Sequence, residues 1–175
     1  MKTSLILAIL LTARCFASAG VGLDVPFFTQ QKNGCGAASV AMVMSYWEST
    51  RAGELRTTRS REDIYARLYR PEQKGIRLAD MRGYLEEAGF RVFTLRGELA
   101  DLDRHLGKGR PVITGLKGGR AKPVHFVVVT GTTTEFVWLH DPSRPKPLRL
   151  KRIDFDRQWT AGNRWMLLAT PARRE

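Results

Sequence analysis

A chain of 175 residues with 43% hydrophobic and 26% charged side chains is long enough to bury one full core, and needs neither disulfides nor metal to do so. Its formal charge of +12 is unusual, yet no run of like charge reaches five. Zinc-finger spacing, a helix-turn-helix signature and aromatic–basic interleaving are all missing from the sequence, which argues against nucleic acid as a partner. Charge speaks to association rather than to fold. The first reading is a solvated basic surface on a monomer; the second is peripheral contact with an anionic membrane surface or another polyanion.

Residues 1–19 read as a secretory signal peptide, with 20–175 as one domain. Lys2 supplies the positive start, and Leu5 to Leu11 is an unbroken apolar core too short to span a bilayer. Ala17-Ser18-Ala19 fits the small-x-small rule, so cleavage is expected after Ala19. Arg14 precedes Cys15 where a lipid-anchored signal wants a small residue. The expectation is therefore soluble export to a bacterial periplasm or beyond. Loss of Lys2 and Arg14 lowers the charge from +12 to +10. Cys15 leaves as well, so the mature chain keeps a single cysteine, Cys35, which has no partner for an internal disulfide.

Val25 to Phe28 is a short extended run, and Gln30 to Gly34 is a turn. A helix is predicted from about Cys35 to Ser49. Val40, Val43, Met44 and Trp47 form one apolar stripe along it, and Ala38, Ala41 and Met42 a second. A helix apolar on both stripes belongs in the middle of a domain. Residues 50–59 read as exposed basic loop. Ser60 and Asp63 form a capping box for a helix over about 61–69, which Pro71 and Gly75 end. A further helix fits 77–88, with Leu78, Met81, Leu85 and Ala88 on one face and Gly89 as terminator. Arg91 to Leu95 reads as a strand and Glu98 to Lys108 as a helix. Beyond Pro111 the pattern turns to strands over 111–116, 124–131, 135–140 and 148–151, then a helical turn at 154–159 and a last strand at 164–169. Helices first and an antiparallel sheet second is the α+β pattern.

A thiol at the start of a helix faces unpaired N–H groups and the positive end of the helix dipole, which favour the nucleophilic thiolate. Such a nucleophile needs a base, an orienter for that base and donors for the oxyanion. Of three histidines, His105 lies in a charged helix and reads as surface. His140 ends a strand on the face opposite its neighbour Asp141. His125 interrupts Pro123 to Val129, the most apolar strand, where a bystander histidine is out of place. If Thr132 to Thr134 is a three-residue hairpin loop, Gly131 pairs with Glu135, and the ladder carried back sets His125 directly opposite Asp141. Opposed residues hold their Cβ atoms about 4.5–5.5 Å apart, within reach of a hydrogen bond. The backbone N–H of Cys35 supplies one oxyanion donor, and Gln30 or Gln31 offers the second.

Val25-Pro26-Phe27-Phe28-x-Gln30, then Cys35-Gly36, then His125 in an apolar strand, then His140-Asp141-Pro142, resembles the bacteriocin-processing, double-glycine-leader type of cysteine peptidase in the papain-like superfamily. The match runs over roughly residues 24–169 in order and spacing. The resemblance implies Cys35 as nucleophile, His125 as base, Asp141 as its orienter and Gln30 as oxyanion donor. It also implies a papain-like α+β fold, with the nucleophile's helix packed on an antiparallel sheet. Gly34 stands where many members have Asp, and Ala37 where many have Pro; neither change removes a catalytic group. With an export signal and no ATPase motif or membrane spans, this chain looks like a free-standing, exported branch of the family.

Three functions fit. The first is an exported cysteine peptidase acting on a peptide or protein; the second is a thiol-dependent amidase or acyl transferase; the third is a non-catalytic peptide-binding module. Neither cofactor nor metal is implied, because no cluster with ligand spacing stands outside the four residues. Gly118-Gly119 reads as plain loop rather than a self-cleavage site.

Overall fold

The computed structural model describes residues 20–50, 59–119 and 123–172. The expected signal segment and most of the loop after the first helix lie outside them. Helix α1, Cys35–Thr50, runs through the interior, with Gly36 to Met44 buried without a break and Tyr46 and Trp47 buried beyond. Small residues let neighbours close on its first turns. A Cβ on Gly36 would stand 2.9 Å from both Ile76 Cγ2 and Met81 Sδ. Trp47 anchors the far end by donating its indole N–H to the Ala169 carbonyl at 2.9 Å.

Two helices flank α1. Helix α2 spans Arg61–Leu68, and its start is the expected capping box: Ser60 Oγ accepts from the Asp63 N–H, and Asp63 Oδ2 from the Ser60 N–H. Helix α3 spans Leu78–Glu87 and buries Met81, Tyr84 and Leu85. Gly89 follows it with φ +86°, the left-handed conformation glycine adopts freely after a helix.

The strands are β1 Val21–Gly22, β2 Phe90–Arg96, β3 Val112–Leu116, β4 His125–Thr132, β5 Phe136–His140, β6 Leu148–Lys151 and β7 Trp165–Pro171. They form one antiparallel sheet in the order β2-β7-β3-β4-β5-β6, with β1 continuing beside β4. Successive residues of β4 alternate between two cores. Val128 packs with α1, α2 and α3, while Val127 and Val129 pack with helices α4, Leu99–Leu106, and α5, Arg152–Ala161.

The α+β reading therefore holds, and one element differs from expectation. The last helix is a full ten residues rather than one turn, because Phe155 and Trp159, four apart, both bury against the second sheet face. Trp159 also donates to the Trp165 carbonyl at 2.8 Å, which ties α5 to β7. Four strands separate the strand over 90–96 from β7 in sequence, yet β7 is the strand it pairs with.

Candidate active site

Cys35 is half-buried at the first position of α1. The turn ahead of it closes when the Gly34 N–H donates to the Gln31 carbonyl at 2.9 Å, with Asn33 in the left-handed region at φ 56°. Tyr65 of α2 walls this turn. Its hydroxyl donates to the Lys32 carbonyl at 2.9 Å, and a Cβ on Gly34 would stand 2.8 Å from its ring. Glycine is required at position 34 by this close approach, which accounts for its place directly before the cysteine.

His125 opens β4, and its Nε2 lies 2.6 Å from Asp141 Oδ1. The expected partners meet, but not by the expected register. The hairpin turns through Thr134 and Glu135: the Thr133 N–H donates to the Phe136 carbonyl, and Thr133 Oγ1 accepts from the N–H groups of Glu135 and Phe136. The ladder pairs Thr132 with Val137 and Gly131 with Trp138, then slips at a bulge so that Val129 faces Leu139 and Val128 faces His140. Carried on, this register sets Ser143 opposite His125 and leaves Asp141 on the diagonal, still on the same side of the strand and within reach of a long side chain. Strand β1 presses its backbone against β4, and a Cβ on Gly131 would stand 2.7 Å from the Val21 carbonyl oxygen.

Asp141 is held by its own turn. Ser143 donates to Oδ1 through both its N–H at 2.9 Å and its hydroxyl at 2.6 Å, and the Arg144 N–H donates to the Asp141 carbonyl. Arg144 Nε stands 3.6 Å from Oδ2. Burial opposes ionisation of Asp141, but the hydrogen bonds from His125 and Ser143 outweigh it and hold the carboxyl at about 2. Burial likewise opposes charge on His125. Asp141 and Cys35, each acting as hydrogen-bond partner and as charge, outweigh it and raise the imidazole to about 9. With Nε2 taken by Asp141, Nδ1 is the nitrogen left for the thiol.

Gln30 is half-buried in the segment leading to the Cys35 turn. Its backbone N–H donates to the Pro142 carbonyl at 2.8 Å, which fastens it to the residue after Asp141. Its Oε1 is buried and accepts no hydrogen bond from the described residues.

A protein-family description, the Peptidase_C39 like family, matches residues 22–165. The chain belongs to this family. Among solved structures, the C39 likeness extends to the whole fold. A double glycine motif protease from an AMS/PCAT transporter, solved in complex with the leader peptide, aligns over 86% of this chain and 94% of its own, with 21% identity and a TM-score of 0.66. The peptidase domain of Streptococcus ComA, a bifunctional ABC transporter of quorum sensing, aligns over 83% and 98%, with 19% identity and a TM-score of 0.65. At such identities the likeness is one of fold, and that fold is the papain-like one which the sequence resemblance implied. No curated protein matches the chain.

The other two histidines of this C39-like chain are not placed with Cys35. His140 is buried edge-on against Phe27 with ring centroids 5.2 Å apart, and burial lowers its pKa. It packs the 25–30 segment onto the end of β5. His105, expected at the surface, is half-buried in α4; burial and the nearby Arg110 charge lower its pKa. Two site-shaping residues had no clear sequence signal: Ser143 and Tyr65. An Asp followed two residues on by a serine is a common side-chain turn, the one clue to Ser143. Gly118 and Gly119 lie in an exposed bend between β3 and β4. Among the described residues no group of three or more His, Cys, Asp or Glu side chains is placed to hold a metal ion, and no helix is long and apolar enough to cross a membrane.

Proposed function

We propose that this protein is an exported cysteine endopeptidase in which Cys35 is the nucleophile, His125 the base, Asp141 the orienter and Gln30 an oxyanion donor. The observation that carries the reading is the 2.6 Å contact between His125 Nε2 and Asp141 Oδ1, formed beside a cysteine at the start of a buried helix. Asp141 accepts a hydrogen bond from Nε2–H and so fixes the tautomer, and Nδ1 takes the Cys35 proton to form the thiolate–imidazolium pair, the form that attacks. The thiolate attacks a peptide carbonyl. The oxyanion accepts from the Cys35 backbone N–H and the Gln30 side-chain amide. Imidazolium Nδ1–H then protonates the leaving amine, the acyl group remains as a thioester on Cys35, and water deprotonated by Nδ1 hydrolyses it.

A peptide substrate is supported by the leader peptide bound to the AMS/PCAT relative. Export is supported by the Lys2, Leu5–Leu11 and Ala17–Ala19 pattern, and by strand β1 starting at Val21, two residues past the expected cleavage point. N-terminal sequencing of the protein recovered from periplasm or medium tests this, and an N-terminus other than Gly20 overturns the cleavage site. The decisive experiment for catalysis is Cys35→Ala. Turnover of a peptide library falls to background while the thermal transition stays in place; persisting cleavage removes the mechanism.

A further inference from the structure

We infer that a pocket beside the nucleophile's turn takes an acidic side chain of the peptide substrate, with Arg61 as its recognition residue. The inference rests on the peptidase reading and adds a substrate class to it.

The pocket has a volume of about 190 Å³ and is lined by Gln30, Gly34, Ala37, Ala38, Arg61 and Tyr65, among others. Gln30 and Gly34 belong to the turn that delivers Cys35. An extended peptide advances about 3.3–3.6 Å per residue, so a side chain within about three residues of the scissile bond reaches this space. The walls are pre-set. Ala37 and Ala38 are buried and add only methyl groups, while Tyr65 is bolted to the Lys32 carbonyl and stacked on Tyr69 at 5.0 Å.

Arg61 supplies the chemistry. Its guanidinium lies over the Phe28 ring, 4.9 Å from the centroid, which orients the planar group while leaving its N–H edge unspent. No carboxylate among the described residues forms an ion pair with it. The contrast is with a larger cleft of about 350 Å³ between α2 and α3, where Arg67 already pairs with Glu87, and Arg70 with Asp80. There the cations serve the fold; at the nucleophile's turn the cation is free to serve a ligand. An oriented guanidinium accepts a carboxylate through two parallel N–H donors. Glu62 also lines the pocket and opposes an incoming anion, so its removal sharpens the preference.

The test digests a bacterial proteome, pre-cut to peptides with chymotrypsin, using the purified protein and its Cys35→Ala, Arg61→Gln and Arg61→Glu forms. New termini are read by mass spectrometry. The expected result is Cys35-dependent cleavage with Asp or Glu enriched at one position within about three residues of the cut. That enrichment disappears in Arg61→Gln and gives way to Lys or Arg in Arg61→Glu. A matched peptide pair with Glu or Gln at that position then differs about tenfold in kcat/KM for the wild type, the size of one partly exposed charge-assisted hydrogen bond. The pair is matched within error for Arg61→Gln. Cys35-dependent cleavage with no acidic position, or with enrichment unchanged in Arg61→Gln, overturns the subsite and leaves the peptidase standing. Absence of Cys35-dependent cleavage overturns both.

Discussion

Cys35 and Asp141 stand at the two ends of one polar chain, and the protein fixes them by opposite means. The cysteine is placed by shape. A backbone turn, a glycine and the Tyr65 ring leave the start of a buried helix only one position. The aspartate is placed by hydrogen bonds. It sits one residue past the end of β5, and His125 and Ser143 together direct three hydrogen bonds onto its Oδ1. Shape-fixed groups fail by unfolding or displacement, whereas hydrogen-bond-fixed groups fail chemically in a fold that survives. Substitutions at the two turns are expected to divide along that line.

The largest effect is expected at the hydrogen-bonded end. Asp141→Asn keeps the volume but removes the charge and the firm hold on the Nε2 proton. We expect kcat/KM to fall by about 10²–10⁴-fold. The alkaline limb of the pH profile, expected near the His125 value of about 9, moves toward the ordinary 6.5. A variant with full activity and an unmoved limb would show that Asp141 does not govern the imidazole. The same pair sets a stability window. Asp141 titrates at about 2 rather than 3.8, so its contribution is full above 3.8 and is lost as pH falls through about 2. His125 titrates at about 9 rather than 6.5, so its contribution is full below 6.5 and is lost as pH rises through about 9. Thermal denaturation across pH should therefore show the wild type's advantage over Asp141→Asn greatest between those ordinary values, on the order of 2 kcal/mol, and shrinking on both sides.

Next comes the shape-fixed end. Gly34→Ala drives a methyl group into Tyr65, 2.8 Å from its ring carbons, and within 3.1 Å of the Gln31 carbonyl oxygen. Overpacking of this kind costs about 1–3 kcal/mol. Chemical denaturation should report that loss together with reduced activity, since the turn carrying Cys35 moves with it. Adding Tyr65→Ala opens the space and should recover part of the stability; a pair of strictly additive losses would contradict the steric account.

The smallest effect is expected for Ser143→Ala. Asp141 Oδ1 keeps its bonds to His125 and to the Ser143 N–H and loses only the hydroxyl. A reduction of a few-fold in kcat is expected, with a small fall in the denaturation midpoint at neutral pH, because the lost bond is a hydrogen bond to a charged carboxylate. A loss as deep as that of Asp141→Asn would mean that the hydroxyl, rather than the turn's backbone, positions the carboxylate.

Much of the site is local and so was legible. Helix α1 is apolar on both stripes, a pattern that only burial satisfies. Ser60 and Asp63 cap α2 through neighbours in the chain. His125 stood out because a polar ring in a run of valines has to have a partner. The hairpin register was not legible. A two-residue turn replaced the expected three-residue loop, and a bulge between Val129 and Gly131 slipped the ladder where β1, more than a hundred residues away in sequence, lies against β4. The His125–Asp141 pairing survived because the shift moved Asp141 by an even step, which keeps a residue on the same side of a strand.

What the sequence determined by itself is thus the main element types, the order of the chemical groups and the burial of the helix that Cys35 opens, since these follow from periodicity and capping over a few residues. Tertiary structure alone decided what those groups touch. It set Tyr65 against Gly34, fastened Gln30 to Pro142, paired β2 with β7 and made α5 a full helix. It also left the Arg61 guanidinium open beside the Cys35 turn. The physical reason is that backbone preference is a property of neighbours in the chain, while register, close approach and ion pairing are settled by which surfaces bury each other once the chain has folded.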